Sequence, residues 1–262
     1  MQNPRAFRLG LLGHPVSHSR SPEIFAAFFR DEGLDEAEYQ LFDLPSIEDF
    51  PSFLQAQLNQ DVPLIGFNVT VPHKVGILDH LDWISAGARA VGAVNTVLVQ
   101  QSDTGITLSG HNTDVDGFAH SLTRMHIPSH PEISNAIILG NGGSAKAVKV
   151  VLEQEHIPFV VWHRNELINN HLSDTILSHY IQPNTLFIHT TPVGMWPNTQ
   201  ECVDLPWHEI QPTHKLIDLV YNPESTLLMQ RFQEKGAMAV NGKPMLQHQA
   251  IAAWNLFKQN IY

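Results

Sequence analysis

A glycine-rich turn between an apolar run and a helical pattern constrains the fold of this chain more than any other feature. The apolar run, 137–139, ends in Gly140, Gly142 and Gly143, and an Ala- and Val-rich pattern follows at once. The spacing Gly140-x-Gly142-x-x-Ala145 fits the dinucleotide-binding fingerprint, a tight strand-to-helix turn with no side chain to block a pyrophosphate. Backbone N–H groups at the helix N-terminus would hold the phosphates. Ordinary tight turns also contain such glycines, so the rest of the chain must decide.

Strands and helices alternate along the second half of the chain. The apolar patterns predict helices to about residue 156, over 167–180 and over 227–235, and strands over 158–163, 185–190 and 215–220. Such alternation is typical of a parallel, doubly wound sheet, in which ligands bind beyond the carboxyl ends of the strands. The residues that follow the predicted strands at these ends are Gly140, Arg164, Thr191 and Tyr221.

The end of the second strand in this half indicates which dinucleotide would bind. An NAD site calls for a carboxylate there, which accepts a hydrogen bond from the ribose 2′-hydroxyl. Here the strand ends in Trp162-His163-Arg164-Asn165, and the nearest acid, Glu166, lies beyond the arginine. A guanidinium suits a 2′-phosphate by its charge and by its fork geometry. These residues therefore favour NADP.

A loop rich in hydroxyl side chains follows the first predicted strand. The strand covers 7–13, and the loop after it carries Ser17-x-Ser19. Residues two apart in an extended segment face the same way, so both hydroxyls can meet one small ligand. Ser21 caps the next predicted helix, with Pro22 at its first position. Capping alone would also explain Ser19, whereas Ser17 lies too far upstream for that.

A lysine stands in an unusual place after the third predicted strand. That strand, 64–71, carries Asn68 and Thr70 and continues through Pro72 to Lys74. Pro72 is well placed to open a helix, which would put Lys74 in the first turn, where a cation opposes the helix dipole. Lys74 is either a solvated lysine or a site residue. In the second case the dipole and partial burial would lower its pKa towards a range useful for proton transfer.

Two further polar residues, Asn95 and Asp114, have local explanations of their own. Asn95 precedes a predicted strand over 97–100, and Asp114 stands at the start of a helical pattern that runs through residue 125. Asn is common in turns, and Asp is a favourable cap at a helix start. Neither residue alone indicates a site.

The composition limits the function classes. With 262 residues the chain has room for a sizeable core and two domains. Its formal charge of −11 argues against a surface for nucleic acids or anionic membranes. Cys202 is the only cysteine, so neither an internal disulfide nor a cysteine-based zinc site can form. The 16 histidines are scattered, and no metal site is expected. Residues 1–8 lack an apolar signal core and no stretch approaches a membrane span, so we expect a cytoplasmic protein.

Eight segments of distinctive sequence occur along nearly the full length of the chain. They are 13–22 (GHPVSHSRSP), 67–74 (FNVTVPHK), 92–96 (GAVNT), 110–114 (GHNTD), the glycine turn, 190–195 (TTPVGM), 218–223 (DLVYNP) and 245–250 (MLQHQA). In this order they resemble the shikimate dehydrogenase family. The resemblance implies an enzyme of aromatic amino-acid (chorismate) biosynthesis that reversibly reduces 3-dehydroshikimate to shikimate with NADPH.

The resemblance also implies an α/β fold with two domains around a cleft. Residues 1–111 and 244–262 would form the substrate-binding domain, and residues 112–243 would form a Rossmann-type NADP domain. The last helix would return to the first domain. The implied partner is the small-molecule substrate, without nucleic acid or membrane, in a monomer or homodimer.

Roles for individual residues follow from the same resemblance. Lys74 and Asp114 would be the catalytic pair. Ser17 and Ser19, with help from Tyr221, would hold the substrate carboxylate, and Thr70, Asn95 and Gln249 would hold the ring hydroxyls and carbonyl. The residues expected to hold NADP are Gly140, Asn141, Gly142, Gly143, Ser144, Ala145, His163, Arg164 and Thr191. Those expected beside the nicotinamide are Met195, Val220 and Gly242.

Some residues depart from the family pattern. The family usually has Ala at the positions of Asn141 and Ser144, Asn-Arg-Thr at 163–165, and Gly-Leu-Gly-Met at 242–245, where this chain has GKPM. Pro244 removes an N–H and fixes φ, which could reshape the nicotinamide wall. The substrate-side motifs are intact.

Two other functions remain open at this point. The chain could be a quinate/shikimate dehydrogenase that prefers NAD, or a relative that senses a ligand without turning it over. Intact Lys74 and Asp114, and the lack of a DNA-binding extension, argue against the second.

Overall fold

The chain divides into two compact units. The structure, a computed structural model, describes residues 6–103, 105–125, 133–162 and 173–261. Residues 1–116 and 247–262 form the first unit, and residues 117–246 form the second. The domain limits expected from the resemblance, at 111/112 and 243/244, stay predictions.

The first unit is built on a mixed six-stranded sheet. Its strands are β1 (Arg8–Gly13), β2 (Glu38–Asp43), β3 (Gly66–Val69), β4 (Trp83–Ile84), β5 (Thr96–Ser102) and β6 (Gly105–His111). Their order is β2-β1-β3-β5-β6-β4, in which β5 is antiparallel to both neighbours. The helices of this unit are α1 (Ser21–Asp31), α2 (Phe50–Leu58) and α3 (Ala86–Val91), and α4 (Asp114–Arg124) begins in it but belongs to the second unit from residue 117 onward. The carboxyl ends of β1 and β3, which are parallel, therefore lie at one edge.

Two hydrophobic clusters hold the first unit together. One contains Leu12, Phe50 and Phe67, and the other contains Leu9 and Phe25. Leu9 and Leu12 of β1 fall into different clusters, as expected from the alternation of side chains along a strand.

The second unit contains a five-stranded sheet whose strands are all parallel. Its elements in chain order are β7 (Ala136–Leu139), α5 (Gly143–Gln154), β8 (Phe159–Trp162), α6 (Ser173–Tyr180), β9 (Leu186–His189), β10 (Lys215–Asp218), α7 (Leu227–Glu234) and β11 (Met238–Val240). The strand order is β11-β10-β9-β7-β8. β7, β9 and β10 are almost wholly buried, which is usual where helices cover both faces of a parallel sheet. This confirms the predicted α/β class and the strand-to-helix turn at Gly140.

The last helix, α8 (Lys243–Phe257), packs in the first unit from residue 247 onward. Trp254 and Phe257 join the cluster of Phe25 and Phe29, and the Phe257 ring lies against Gly66 so closely that a Cβ there would meet it at 2.6 Å. The expected return of the last helix is thus confirmed.

Two local predictions differ from the structure. Lys74 was expected in a first helical turn, but residues 71–75 form successive turns, and the helix that follows is a short 3-10 segment, Gly76–His80. The helix-dipole argument for Lys74 is therefore wrong. The short strands β4 and β11 were not predicted, because two or three residues carry no measurable periodicity.

Among the described residues, no helix has both the length and the apolar character needed to cross a membrane. The cytoplasmic location stays a prediction.

Candidate active site

A lysine and an aspartate that are 40 residues apart meet in the first unit. Lys74 Nζ donates to Asp114 Oδ2 at 2.6 Å, and the side chains are only 12% and 7% exposed. Lys74 lies in the turns after β3, and Asp114 is the first residue of α4. The turn is held in place because the Val94 N–H donates to the Lys74 carbonyl at 2.8 Å. A short, sheltered contact of this kind presents an ammonium whose position is fixed by a carboxylate.

The carboxylate of Asp114 does not serve as the cap of its own helix. Asn112 instead satisfies the first N–H of the helix, since its Oδ1 accepts from the Asp114 N–H at 3.1 Å and its Nδ2 donates to the Ala93 carbonyl at 2.9 Å. Asp114 Oδ1 accepts from Asn95 Nδ2 at 2.9 Å. The carboxylate is thereby held between an amide and an ammonium, and the capping explanation for Asp114 fails.

Asn95 is likewise more than a turn residue. It is 2% exposed, and its Oδ1 accepts from the Thr113 N–H at 2.8 Å and from Thr96 Oγ1 at 3.0 Å. Its Nδ2 donates to Thr113 Oγ1 at 3.0 Å as well as to Asp114. Because both ends of the amide are bonded, its orientation relative to the Lys74–Asp114 pair is fixed.

Behind Asn95 lies a second buried amide, that of Asn68 on β3. Asn68 Nδ2 donates to the Asn95 carbonyl at 3.2 Å and to Thr96 Oγ1 at 3.0 Å. Its Oδ1 accepts from the Tyr39 hydroxyl of β2 at 2.9 Å. Tyr39 is not among the site residues predicted from the sequence. The available signal was a tyrosine in a strand next to the core, where a buried hydroxyl needs a partner.

The serine loop after β1 carries one exposed and one half-buried hydroxyl. Ser17 is exposed, as a ligand-binding hydroxyl at a surface loop would be. Ser19 is half-buried, and its Oγ accepts from the Ser21 N–H and lies 3.2 Å from Ser21 Oγ. Ser19 therefore bonds to the first residue of α1, but Arg20 occupies the N-cap of this helix without a side-chain cap bond, so the prediction that Ser21 caps it is wrong. Thr70 packs against the start of this loop, since a Cβ on Gly13 would collide with its methyl group.

The remaining substrate-side candidates lie on separate elements. Gln249 is half-buried on the part of α8 that belongs to the first unit. Tyr221 is half-buried in the second unit, three residues after β10 ends.

The glycine turn of the second unit has the shape that a dinucleotide requires. Gly140 has φ +119°, and a Cβ there would meet Thr190 Oγ1 at 2.5 Å, so a side chain is excluded. Gly142 opens α5, and a Cβ at that position would meet no atom within 4 Å, which leaves its backbone accessible to a ligand. The start of a twelve-residue helix with open glycine backbone fits a pyrophosphate.

The other residues of this turn differ in exposure. Gly143 and Ser144 are half-buried in the first turn of α5, whereas Ala145 is fully buried and packs in the core. Asn141 is exposed, and its Oδ1 accepts from Lys149 Nζ at 2.8 Å. His163 and Arg164 lie outside the described residues.

A buried pair joins the loops that follow β9 and β10. His189 Nδ1 lies 2.9 Å from Asp218 Oδ1, and both side chains are 0% exposed. His189 Nε2 lies 2.5 Å from Thr191 Oγ1, and Asp218 accepts from the Val220 N–H and from Thr226 Oγ1. The pair therefore holds the side chain of Thr191 and the backbone N–H of Val220, two of the residues expected at the cofactor.

The last two cofactor candidates lie in the same unit. Met195 is half-buried in the loop after β9, and its N–H donates to the Pro192 carbonyl at 3.1 Å. Gly242 is buried, and a Cβ there would collide with the backbone of Leu219, so only glycine allows this approach. Within the described ranges, no group of three or more His, Cys, Asp or Glu residues is arranged to hold a metal ion.

Comparison with known proteins gives a consistent result. A family model described as the shikimate dehydrogenase substrate binding domain matches residues 11–97. The shikimate dehydrogenase (NADP(+)) of Shouchella clausii is 34% identical over 268 residues, which cover 97% of this chain and 94% of that protein.

Solved structures agree with the sequence relatives. The shikimate 5-dehydrogenase of Thermus thermophilus, crystallised with NADP(H) and shikimate, has a TM-score of 0.76 and 31% identity over 97% of this chain and 94% of its own. The shikimate dehydrogenase of Aquifex aeolicus has a TM-score of 0.81 and 28% identity, over 100% of this chain and 96% of its own.

Proposed function

Because the chain belongs to the shikimate dehydrogenase family, we propose that Lys74 and Asp114 carry its reaction, the reversible NADP-dependent interconversion of shikimate and 3-dehydroshikimate. The chain is an NADP-dependent oxidoreductase that acts on a CH–OH group, as expected from the sequence. The observation that carries the assignment of the pair is the 2.6 Å contact between two sheltered side chains of opposite charge.

The chemistry requires a proton at the substrate oxygen in addition to a hydride at its carbon. NADPH supplies the hydride when bound. Lys74, as an ammonium, stabilises negative charge on the carbonyl oxygen as it develops and donates a proton to it, and it takes that proton back in the oxidation direction. Asp114 holds the ammonium in one place and accepts a hydrogen bond from a ring hydroxyl.

The residues that we assign to the substrate besides this pair carry hydroxyl and amide groups. Ser17 and Ser19, with Tyr221, hold the substrate carboxylate. Thr70, Asn95 and Gln249 hold the ring oxygens. The net charge of −11 makes such a local set of donors necessary, since the protein as a whole repels an anionic substrate.

The cofactor shell lies at the carboxyl ends of the parallel strands. The residues assigned to NADP are Gly140, Asn141, Gly142, Gly143, Ser144, Ala145, His163, Arg164, Thr191, Met195, Val220 and Gly242. The start of α5 would receive the pyrophosphate, and Arg164 the 2′-phosphate. The open backbone at Gly142 and the fixed loops at Thr191 and Val220 support this assignment.

The domain limits and the assembly are proposals of the same kind. We assign residues 1–111 and 244–262 to shikimate and residues 112–243 to NADP. A monomer or homodimer without nucleic-acid or membrane partners, located in the cytoplasm, stays a prediction.

A steady-state assay tests the function. Initial rates of reduction of the cofactor are measured with shikimate and NADP. The assay is then repeated with quinate in place of shikimate and with NAD in place of NADP. We expect the highest kcat/KM for shikimate with NADP. If the folded protein reduces no NADP with shikimate, the proposed function is wrong, and a higher kcat/KM for quinate with NAD would favour the alternative dehydrogenase.

A further inference from the structure

A continuous series of polar side-chain contacts runs through the first unit from the serine loop to the Lys74–Asp114 pair. Each member contacts the next through side-chain atoms. In order, the members are Ser19, Ser21, Tyr39, Asn68, Thr96, Asn95, Asp114 and Lys74. The series joins residues assigned to opposite ends of the substrate, its carboxylate and its reacting oxygen.

Tyr39 occupies the middle of this series. Its hydroxyl donates to Asn68 Oδ1 at 2.9 Å, and the Ser21 side chain interacts with the same hydroxyl, which lowers its pKa slightly against the effect of burial. The ring stacks on Phe25 with centroids 4.3 Å apart and planes inclined by 19°. Burial raises the pKa of the Tyr39 hydroxyl well above its ordinary value, so the group keeps its proton and acts as a donor.

The hydrogen bonds from Tyr39 to the carboxylate all point the same way. Ser19 donates to Ser21, the Ser21 side chain interacts with the Tyr39 hydroxyl, and Tyr39 donates to Asn68. Beyond Asn68, the donors lead through Thr96 and Asn95 to the Asp114 carboxylate. Hydrogen bonds aligned in one sense polarise one another, and this part of the series ends on a charge that accepts.

The hydroxyl of Tyr39 satisfies the oxygen of the Asn68 amide, whose orientation is set by the partners of its nitrogen. Asn68 Oδ1 must face Tyr39 because its Nδ2 is used by Thr96 and by the Asn95 carbonyl. Asn68 is 6% exposed, so loss of the tyrosine donor would leave a buried oxygen without this partner. The amide would then shift towards other donors and release the side that faces Asn95.

We propose that Tyr39 is a positioning residue that couples the serine loop to the Lys74–Asp114 pair. The residues that bind the two ends of shikimate then keep a fixed position relative to each other. This inference rests on the proposed substrate site. Tyr39 touches neither the substrate nor the cofactor in this scheme. It acts through Ser21 on one side and through Asn68 on the other.

The test begins with Tyr39→Phe, which removes one oxygen and keeps the ring that stacks on Phe25. Loss of one buried hydrogen bond corresponds to a decrease in kcat/KM for shikimate of about tenfold. The KM for NADP should change by less than about twofold, because the glycine turn is untouched. Tyr180→Phe is the matched control, since Tyr180 is 43% exposed at the end of α6 and should leave both constants unchanged.

A double-mutant cycle separates coupling from a general loss of stability. Ser21→Ala interrupts the series on the other side of Tyr39, so the double variant should lose little more kcat/KM than either single variant. The proposal is wrong if the losses of kcat/KM in the two single variants multiply in the double variant. It is also wrong if Tyr39→Phe lowers the melting temperature and leaves the kinetic constants unchanged. If the wild-type protein and the Tyr180→Phe control both lack activity on shikimate, the proposed function fails instead, and the inference fails with it.

Discussion

Each unit of this protein contains a buried carboxylate paired with a basic side chain near the carboxyl ends of its strands, and the two pairs differ in their surroundings. Lys74 and Asp114 in the first unit keep 12% and 7% of their side-chain surface exposed. His189 and Asp218 in the second unit are 0% exposed. Asp218 accepts from three neighbours, namely His189, Val220 and Thr226, and the far nitrogen of His189 contacts Thr191.

This difference distinguishes a pair that can react with a ligand from a pair that links two loops of the protein. An ammonium has three N–H donors, and the contact with Asp114 uses one of them. The His189–Asp218 pair instead uses both ring nitrogens and both carboxylate oxygens within the protein. The proposal that Lys74 and Asp114 are the catalytic pair therefore rests on their contact with solvent and on donors not used by the described residues, rather than on the presence of opposite charges.

The largest effect is expected on stability, from Asp218→Ala. This variant leaves His189, Thr226 and the Val220 N–H without their shared acceptor inside the core. Removal of one partner from a buried pair of this kind lowers the free energy of unfolding by about 3–5 kcal/mol. Denaturant unfolding should show a lower midpoint with an unchanged slope. A loss below about 1 kcal/mol would mean that the pair is not a structural connector.

Lys74→Ala tests the other pair and should act on turnover. Loss of a positioned acid–base group lowers kcat by roughly a hundredfold or more with a modest change in KM for shikimate. Lys258→Ala is a suitable control, since Lys258 pairs with Glu32 near the surface and should keep full activity. Near-normal kcat in Lys74→Ala would remove Lys74 from the mechanism.

Arg164→Ala extends the comparison of the two units to the anion assigned to each of them, the substrate carboxylate and the 2′-phosphate of NADP. The substrate carboxylate is assigned to hydroxyl groups, whereas the 2′-phosphate is assigned to a guanidinium, whose charged hydrogen bonds are worth more. We expect the Kd for NADP to rise about tenfold while the Kd for NAD stays the same. Calorimetric titration with both nucleotides measures this. Equal weakening of the two would contradict the assignment.

The smallest effect is expected on the pH dependence of stability, from His214, a second buried histidine of the second unit. Burial lowers the pKa of His214, whose Nδ1 accepts from the Gln211 N–H and would lose that bond on protonation. A histidine whose folded pKa is depressed stabilises the protein above its unfolded pKa, and this contribution declines as pH falls through the ordinary value of 6.5. Thermal unfolding should therefore occur at lower temperature below that pH, and His214→Gln should flatten the dependence. An unaltered pH dependence in His214→Gln would show that another group is responsible.

Much of the fold could be predicted from local sequence patterns. The strand, glycine turn and helix at 136–154 were confirmed because each feature is encoded in adjacent residues. The predicted helix at Lys74 was wrong although Pro72 suggested a helix start. The turn after β3 is held instead by the backbone of Val94, which is 20 residues away along the chain, and no local pattern contains that contact.

In the candidate site, too, the residue types could be predicted from the sequence, whereas the contacts between residues distant in the chain could not. Ser17, Thr70, Lys74 and Asp114 were selected from motifs, but without the family resemblance capping alone was a sufficient explanation for Asp114. The contacts of Asn112 and Asn95 removed that explanation. Tyr39 was missed because its partner Asn68 lies 29 residues away, on a strand that is separated from β2 by β1 in the sheet.

By itself, the sequence determined the α/β class, the dinucleotide turn and the set of residues from which the site is drawn. These depend on periodicity, glycine spacing and residue type, which act between near neighbours. Only the tertiary structure decided which polar groups share a hydrogen bond, and therefore that Lys74 meets Asp114 while His189 and Asp218 are closed off from solvent. The reason is physical: a hydrogen bond acts over about 3 Å, and chain separation says little about that distance until the sheet order is known.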